Sequence, residues 1–254
     1  MPDQGRLTEQ RVPHTSPAID PLYPPPPWKL PGARVLKVIY ETDVKPLLTW
    51  LPAKLTRSSP PYVVVTVANY PESPIGEFSL AAQYLGCRAG FFIRALTLQA
   101  IADNTTAMSA LREVWGYPCR LGAVSLPAVD GAVDGGVGEG GVDLVRIRMS
   151  AAEAIDGDLV RFDPVLNLRV LPSLEEGRKH DLMQLVQIDP DYAVRNALRG
   201  TGALGLYLQG RGEIPGMHPY FHPSPRRQGQ SPYFRLINQS AGYHFTQGKI
   251  LQRR

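Results

Sequence analysis

ALREVWGYPCRLG, residues 110–122, is the stretch on which the fold turns. Its first half continues a helical pattern that begins at DNTTAMS. Ala107, Leu111, Val114 and Trp115 keep helical spacing, which predicts a helix over 103–115. Asn104 or Thr105 can cap its start, and Gly116 stands where a C-terminal glycine belongs. Tyr117-Pro118 then turns the chain, and Cys119-Arg120-Leu121 leaves it extended.

Outward from this helix the sequence reads as β. Upstream, RVLKVIYETD (34–43) is rich in β-branched residues, followed by YVVVTVANY (62–70), EFSLAAQYL (77–85) and GFFIRALTL (90–98). A short apolar helix, DVKPLLTWLP, lies between the first two, with Asp43 as its cap and Pro46 in its first turn. Downstream, VDLVRIRMS (142–150) alternates cleanly, which predicts one buried and one wet face. LNLRVLP, DLMQLVQI and ALGLYLQ read as further strands. The glycine-rich DGAVDGGVGEGG (130–141) lacks the lysine of a phosphate-binding loop and no helix follows it, so it reads as a flexible hairpin tip. The expected fold class is α+β, mostly β: a curved antiparallel sheet with one main helix.

Residues 1–22 are polar and aperiodic and read as a flexible leader ahead of a single domain over 23–254. PLYPPPPWKLPG favours an extended polyproline entry that Trp28 packs onto the body. Residues 209–232 form a long polar, proline-rich loop carrying His218 and His222.

The composition narrows the functional classes. The 254 residues carry a net charge of +4 without a basic stripe, which argues against nucleic-acid binding. No apolar run reaches the ~20 residues of a membrane span. The N-terminus lacks a signal peptide's apolar stretch, and two cysteines cannot build a disulfide framework, so a cytoplasmic location is expected.

The order of these segments resembles the acetoacetate decarboxylase superfamily. The resemblance rests on PPPPWKLPGARVLKVIYETD, where the family's first strand ends in Y-x-T-D, and on PIGEFSLAAQ. ALREVWGYPCRLG is similar to a helix ending in R-E, an aromatic turn and P-K-K-L-G, and DPVLNLRVLPSLEEG to a strand with an N-x-x-x-x-P ending. It spans roughly residues 22–252. It implies a β-cone enclosing an apolar pocket, a homo-oligomer, a small-molecule substrate and no cofactor. In the family the first lysine of P-K-K forms a Schiff base with a ketone, and the second is a cation that lowers the first one's pKa. Here those positions hold Cys119 and Arg120. A thiol forms no imine, and arginine stays protonated. On this resemblance the pocket glutamates correspond to Thr66 and to Leu80, with Glu77 three residues before it.

Each candidate has a functional and a plain reading. Arg120 holds a carboxylate or enolate, or it pairs with Glu113. Tyr117 donates a proton into the pocket, or it packs. Cys119 is a nucleophile whose thiolate Arg120 favours, or a small filler where lysine was. Glu113, on the last helical turn, is an acid/base candidate or a cap. Arg94 faces the pocket or away from it. His218 and His222 are acid/base groups on a lid; the prolines beside them and the lack of a third ligand argue against a metal. Of the lysines, Lys37 alone is centred in a strand, and it is the one replacement amine the sequence offers. The expected function is an enzyme acting without a Schiff base on a small keto or polyketide-like substrate. The chemistry is cyclisation, dehydration, isomerisation or non-covalent decarboxylation, in secondary metabolism. The alternative is a non-catalytic ligand-binding or scaffold protein on the same fold.

Overall fold

The computed structural model describes residues 5–42, 44–129, 132–139, 142–160, 162–194, 196–206, 234–238, 243–245 and 249–251. The β-branched runs become strands because each can sort alternate residues onto two covered faces. The first elements are β1 (Trp28–Leu30), β2 (Arg34–Glu41), α1 (Val44–Trp50), β3 (Thr56–Arg57), β4 (Tyr62–Tyr70), β5 (Phe78–Ala89) and β6 (Phe92–Ala102). On one face Leu36, Val38, Val63, Val65 and Val67 enter a core with Ile147, Met149 and Leu166. On the other, Val35, Ala68, Tyr70, Leu80 and Ala82 meet Ala107, Leu111 and Trp115 of the helical segment.

That segment carries α2 (Thr105–Glu113), the longer of two α-helices among the described residues. Asn104 caps it by accepting from the Ala107 amide at 3.0 Å. It stops two residues short of the predicted end, and Val114 donates back to the Ala110 carbonyl. Gly116 follows with φ of +69°, and a Cβ there would lie 2.8 Å from Cβ of Arg169, so both conformation and space demand glycine. The Tyr117 amide closes the turn onto the Leu111 carbonyl at 2.9 Å.

Next come β7 (Cys119–Leu121), β8 (Ala123–Ser125), β9 (Ala128–Val129), β10 (Ala132–Glu139), β11 (Val142–Ile155), β12 (Val165–Pro172), β13 (His180–Ile188), β14 (Pro190–Asp191), β15 (Asn196–Leu206), β16 (Phe234–Asn238), β17 (Tyr243–Phe245) and β18 (Lys249–Leu251). The main sheet runs β18-β13-β12-β6-β5-β4-β2-β16-β15-β11-β10-β8, so it is curved but not a closed barrel. A small sheet, β1-β17-β14, lies apart.

Two findings depart from the sequence reading. The sheet is mixed: β7 and β12 both run parallel to β6. For β7 the cause is α2, which carries the chain back so that it re-enters alongside β6. Much of the glycine-rich run is also strand. β10 pairs with β8, β9 and β11, and a Cβ at Gly135 would sit 2.8 Å from Ile147 and 3.1 Å from Val67. These glycines permit close approach to a packed neighbour.

The N-terminal segment is tied to the body. Trp28 is buried, stacks edge-on against Trp115 at 4.9 Å and donates to the Pro24 carbonyl. Thr15 and Tyr23 both donate to Oε2 of Glu113, at 3.0 and 2.6 Å. Among the described residues no helix is long and apolar enough to cross a membrane.

Candidate functional site

A cavity of about 80 Å³ opens on the α2 side of the sheet. It has room for several waters, each needing ~10–15 Å³ on this measure, or for one small organic molecule. Strand alternation builds its wall. β2 contributes Val35 and Lys37, β4 contributes Val64, Thr66 and Tyr70, and β5 contributes Leu80 and Tyr84. Tyr117 comes from the turn after α2. Ala95, Phe162, Asp163, Val165 and Ile188 complete the lining.

Most of this surface is apolar, with a few polar groups placed on it. Lys37 is only 8% exposed, and its Nζ lies 5.3 Å from the centroid of the Phe162 ring. Tyr117 is buried, and burial pushes its pKa well above a phenol's ordinary value. Hydrogen bonding with Tyr84 and Asn167 pulls the other way. Tyr70 is likewise raised by burial and then by Tyr117. At neutral pH both phenols are therefore donors. Asn167 is itself fixed, donating to the Trp115 carbonyl at 2.8 Å and accepting from Thr97. Asp163 accepts from Tyr62 at 3.5 Å.

The structure brings three of the predicted residues, Tyr117, Thr66 and Leu80, onto this cavity, and places others elsewhere. Cys119 is fully buried, and burial pushes its thiol up to about 12. The cation that acts on it is Arg112, not Arg120, and its Sγ sits 3.6 Å from the Arg120 carbonyl. An activated thiolate does not fit that environment. Arg120 is half-buried on β7 and does not line the cavity. Glu113 is committed to Thr15 and Tyr23, so its carboxylate anchors the leader. Arg94 donates to Gln187 Oε1 at 2.9 Å and lies over Phe92; its neighbour Ala95 takes the cavity side, and alternation turns Arg94 away. His218 and His222 lie outside the described residues.

Sequence reasoning missed Tyr70, Tyr84, Asp163 and Asn167, and it kept Lys37 outside its site. A signal was present. Thr66 and Leu80 mark the inward face, and period two then selects Tyr70 and Tyr84 on the same strands. In register, Lys37 is directly opposite Thr66. Thr66 faces Ala82, Ala82 faces Ala100, and Ala100 faces Cys119. One lateral row of a single sheet face thus runs from Lys37 to Cys119.

Comparison with known proteins agrees with this architecture. The sequence profile of the acetoacetate decarboxylase (ADC) family matches residues 11–210. Acetoacetate decarboxylase 1 of Bradyrhizobium diazoefficiens is 24% identical over 208 residues, covering 78% of this chain and 80% of that one. A solved structure of an acetoacetate decarboxylase superposes with a TM-score of 0.81 at 18% identity, covering 96% of this chain and 98% of the other. The enduracididine biosynthesis enzyme MppR in complex with pyruvate gives 0.76 at 18% identity, covering 95% and 98%.

Proposed function

The chain belongs to the acetoacetate decarboxylase family, and on that premise we propose that it is an enzyme acting on a small keto or polyketide-like compound held in this cavity. The observation that carries the reading is the convergence of Lys37, Tyr84 and Tyr117 on an apolar pocket. A binding site that had merely lost its chemistry needs no buried amine beside two phenols. The imine of the family cannot form at Cys119 or Arg120, so the reaction draws on groups elsewhere in the wall. Tyr117, hydrogen-bonded with Tyr84 and Asn167, supplies a proton or hydrogen bond to a carbonyl oxygen as negative charge develops there. Lys37 supplies the positive charge expected of Arg120. The chemistry this supports is proton transfer at carbon next to a carbonyl: isomerisation, dehydration, cyclisation, or loss of CO2 from an activated acid. We place the enzyme in the cytoplasm and in secondary metabolism, as a homo-oligomer that binds neither nucleic acid nor membrane.

The test replaces Tyr117 by Phe and follows consumption of a panel of β-keto acids and 1,3-diketones. Turnover should fall by ~10² or more with KM nearly unchanged, the scale of losing one preorganised donor. A fully active Tyr117→Phe protein would remove the acid from this scheme. Tight binding of a panel member without turnover would favour the ligand-binding reading.

A further inference from the structure

We infer that the cleft between the N-terminal segment and the body is a second ligand site, separate from the cavity, in which Arg169 holds the carboxylate of a small organic acid with an apolar body. The inference does not depend on what occupies the cavity. It starts from β12, where Val165, Asn167 and Arg169 alternate onto one face. Val165 lines the cavity, Asn167 donates to the Trp115 carbonyl, and Arg169 reaches the cleft. Gly116 leaves the room that the stem of Arg169 takes, because a Cβ on Gly116 would lie 2.8 Å from Cβ of Arg169.

The guanidinium arrives in the cleft half-buried and unmatched. Among the described residues its Nε is buried and meets no hydrogen-bond acceptor. None of the ion pairs formed among them includes it. Arg94, also half-buried, donates to Gln187 at 2.9 Å, and the exposed Arg112 donates to the Cys119 carbonyl at 2.9 Å. A guanidinium drawn partly out of water costs free energy until an acceptor replaces the water. Its planar fork matches the two oxygens of a carboxylate. Glu113 lines the same cleft, but its Oε2 already accepts from Thr15 and Tyr23. Burial dominates the Tyr23 pKa; beyond it Glu113 raises the value and Arg169 lowers it, so the two charges flank one hydroxyl.

That arrangement selects the ligand. The like charge of Glu113 repels a second negative charge, so a monocarboxylate is favoured over a phosphate or a dicarboxylate. The cleft holds about 770 Å³, and Pro25, Pro26, Val114 and Val186 give it apolar walls for the rest of the molecule. His14 and Tyr23 stiffen the segment that roofs it: their rings meet edge-on at 5.5 Å, and His14 Nε2 donates to the Tyr23 carbonyl.

The experiment takes the full chain in a buffer free of carboxylate and phosphate and titrates 2-naphthoate, 2-naphthamide and inorganic phosphate by calorimetry. Naphthoate should bind ~10-fold or more tightly than the amide, which lacks the charge, and than phosphate, which lacks the apolar body. Hydrogen exchange on the unaltered protein locates the site, and naphthoate should slow exchange in residues 12–26 and 113–115. Arg169→Leu should weaken naphthoate binding by ~10-fold or more. Glu113→Gln keeps an acceptor for Thr15 and Tyr23 and removes the like charge, so it should strengthen binding. Circular dichroism checks both folds, and the exchange map decides the matter if Arg169→Leu does not fold. Protection mapped to the strands around Lys37, equal binding of acid and amide, or no binding of naphthoate overturns the inference and leaves the keto-substrate reading in place. Protection of residues 12–26 that rises with protein concentration in the absence of probe also overturns it, since the guanidinium would then belong to a carboxylate of a second copy.

Discussion

Cys119 and Arg120 follow the turn after α2, and neither side chain lines the cavity. Cys119 and Cys87 are both fully buried, and burial pushes each thiol up to about 12. Iodoacetamide at pH 8 should therefore leave both unmodified in the folded protein and label both after unfolding. Rapid labelling of Cys119 in the native protein would mean an accessible thiolate after all. The same burial has a pH signature. The fold holds these protons to higher pH than the unfolded chain does, so the unfolded state binds fewer protons once an ordinary thiol titrates. Their stabilisation is complete below that point, near 9, and is lost as pH rises towards 12. Urea midpoints measured across that window should fall, and fall less in a Cys119→Ala protein.

At the level of elements, the long apolar strands and α2 were readable because β-branched runs, Asn104 and Gly116 each fix local geometry independently of the rest of the chain. β10 was not readable. Glycine normally weakens a strand, and only the neighbour that packs onto Gly135 explains why it stands there. Gly135→Val should cost about 1–3 kcal/mol through overpacking against Ile147 and Val67, measured as a lowered denaturation midpoint. Unchanged stability would mean that this contact yields freely. The cavity was legible in the same partial way. Tyr117 lies in a motif and could be found from sequence order. Lys37 and Tyr84 depend on which strands become neighbours and in what register, and that information is tertiary. Arg120 is the converse case: it holds the expected place in the motif, but it does not line this cavity.

Across the whole molecule, residues 12–26 lie over the body and leave between them and Glu113, Val114, Arg169 and Val186 a cleft of about 770 Å³. Glu113 is the fastening, and burial, followed by the Glu113 hydrogen bond, raises the Tyr23 phenol to about 12. Glu113→Ala should release this segment, seen as faster proteolysis between residues 12 and 23, with turnover changed less than threefold, on the order of a change distant from the chemistry. A ~10²-fold loss of turnover without faster cleavage would return Glu113 to the chemistry. The lateral row from Lys37 to Cys119 has a consequence for descent. Cross-strand partners on one face can be exchanged without disturbing the opposite core of Leu36, Val65 and Leu85, which is what keeps the sheet standing. Side chains on the cavity face can therefore vary from one descendant to another while the sheet that holds them persists. What such a fold hands down is the scaffold, and the chemistry of its inner wall is the part left open to revision.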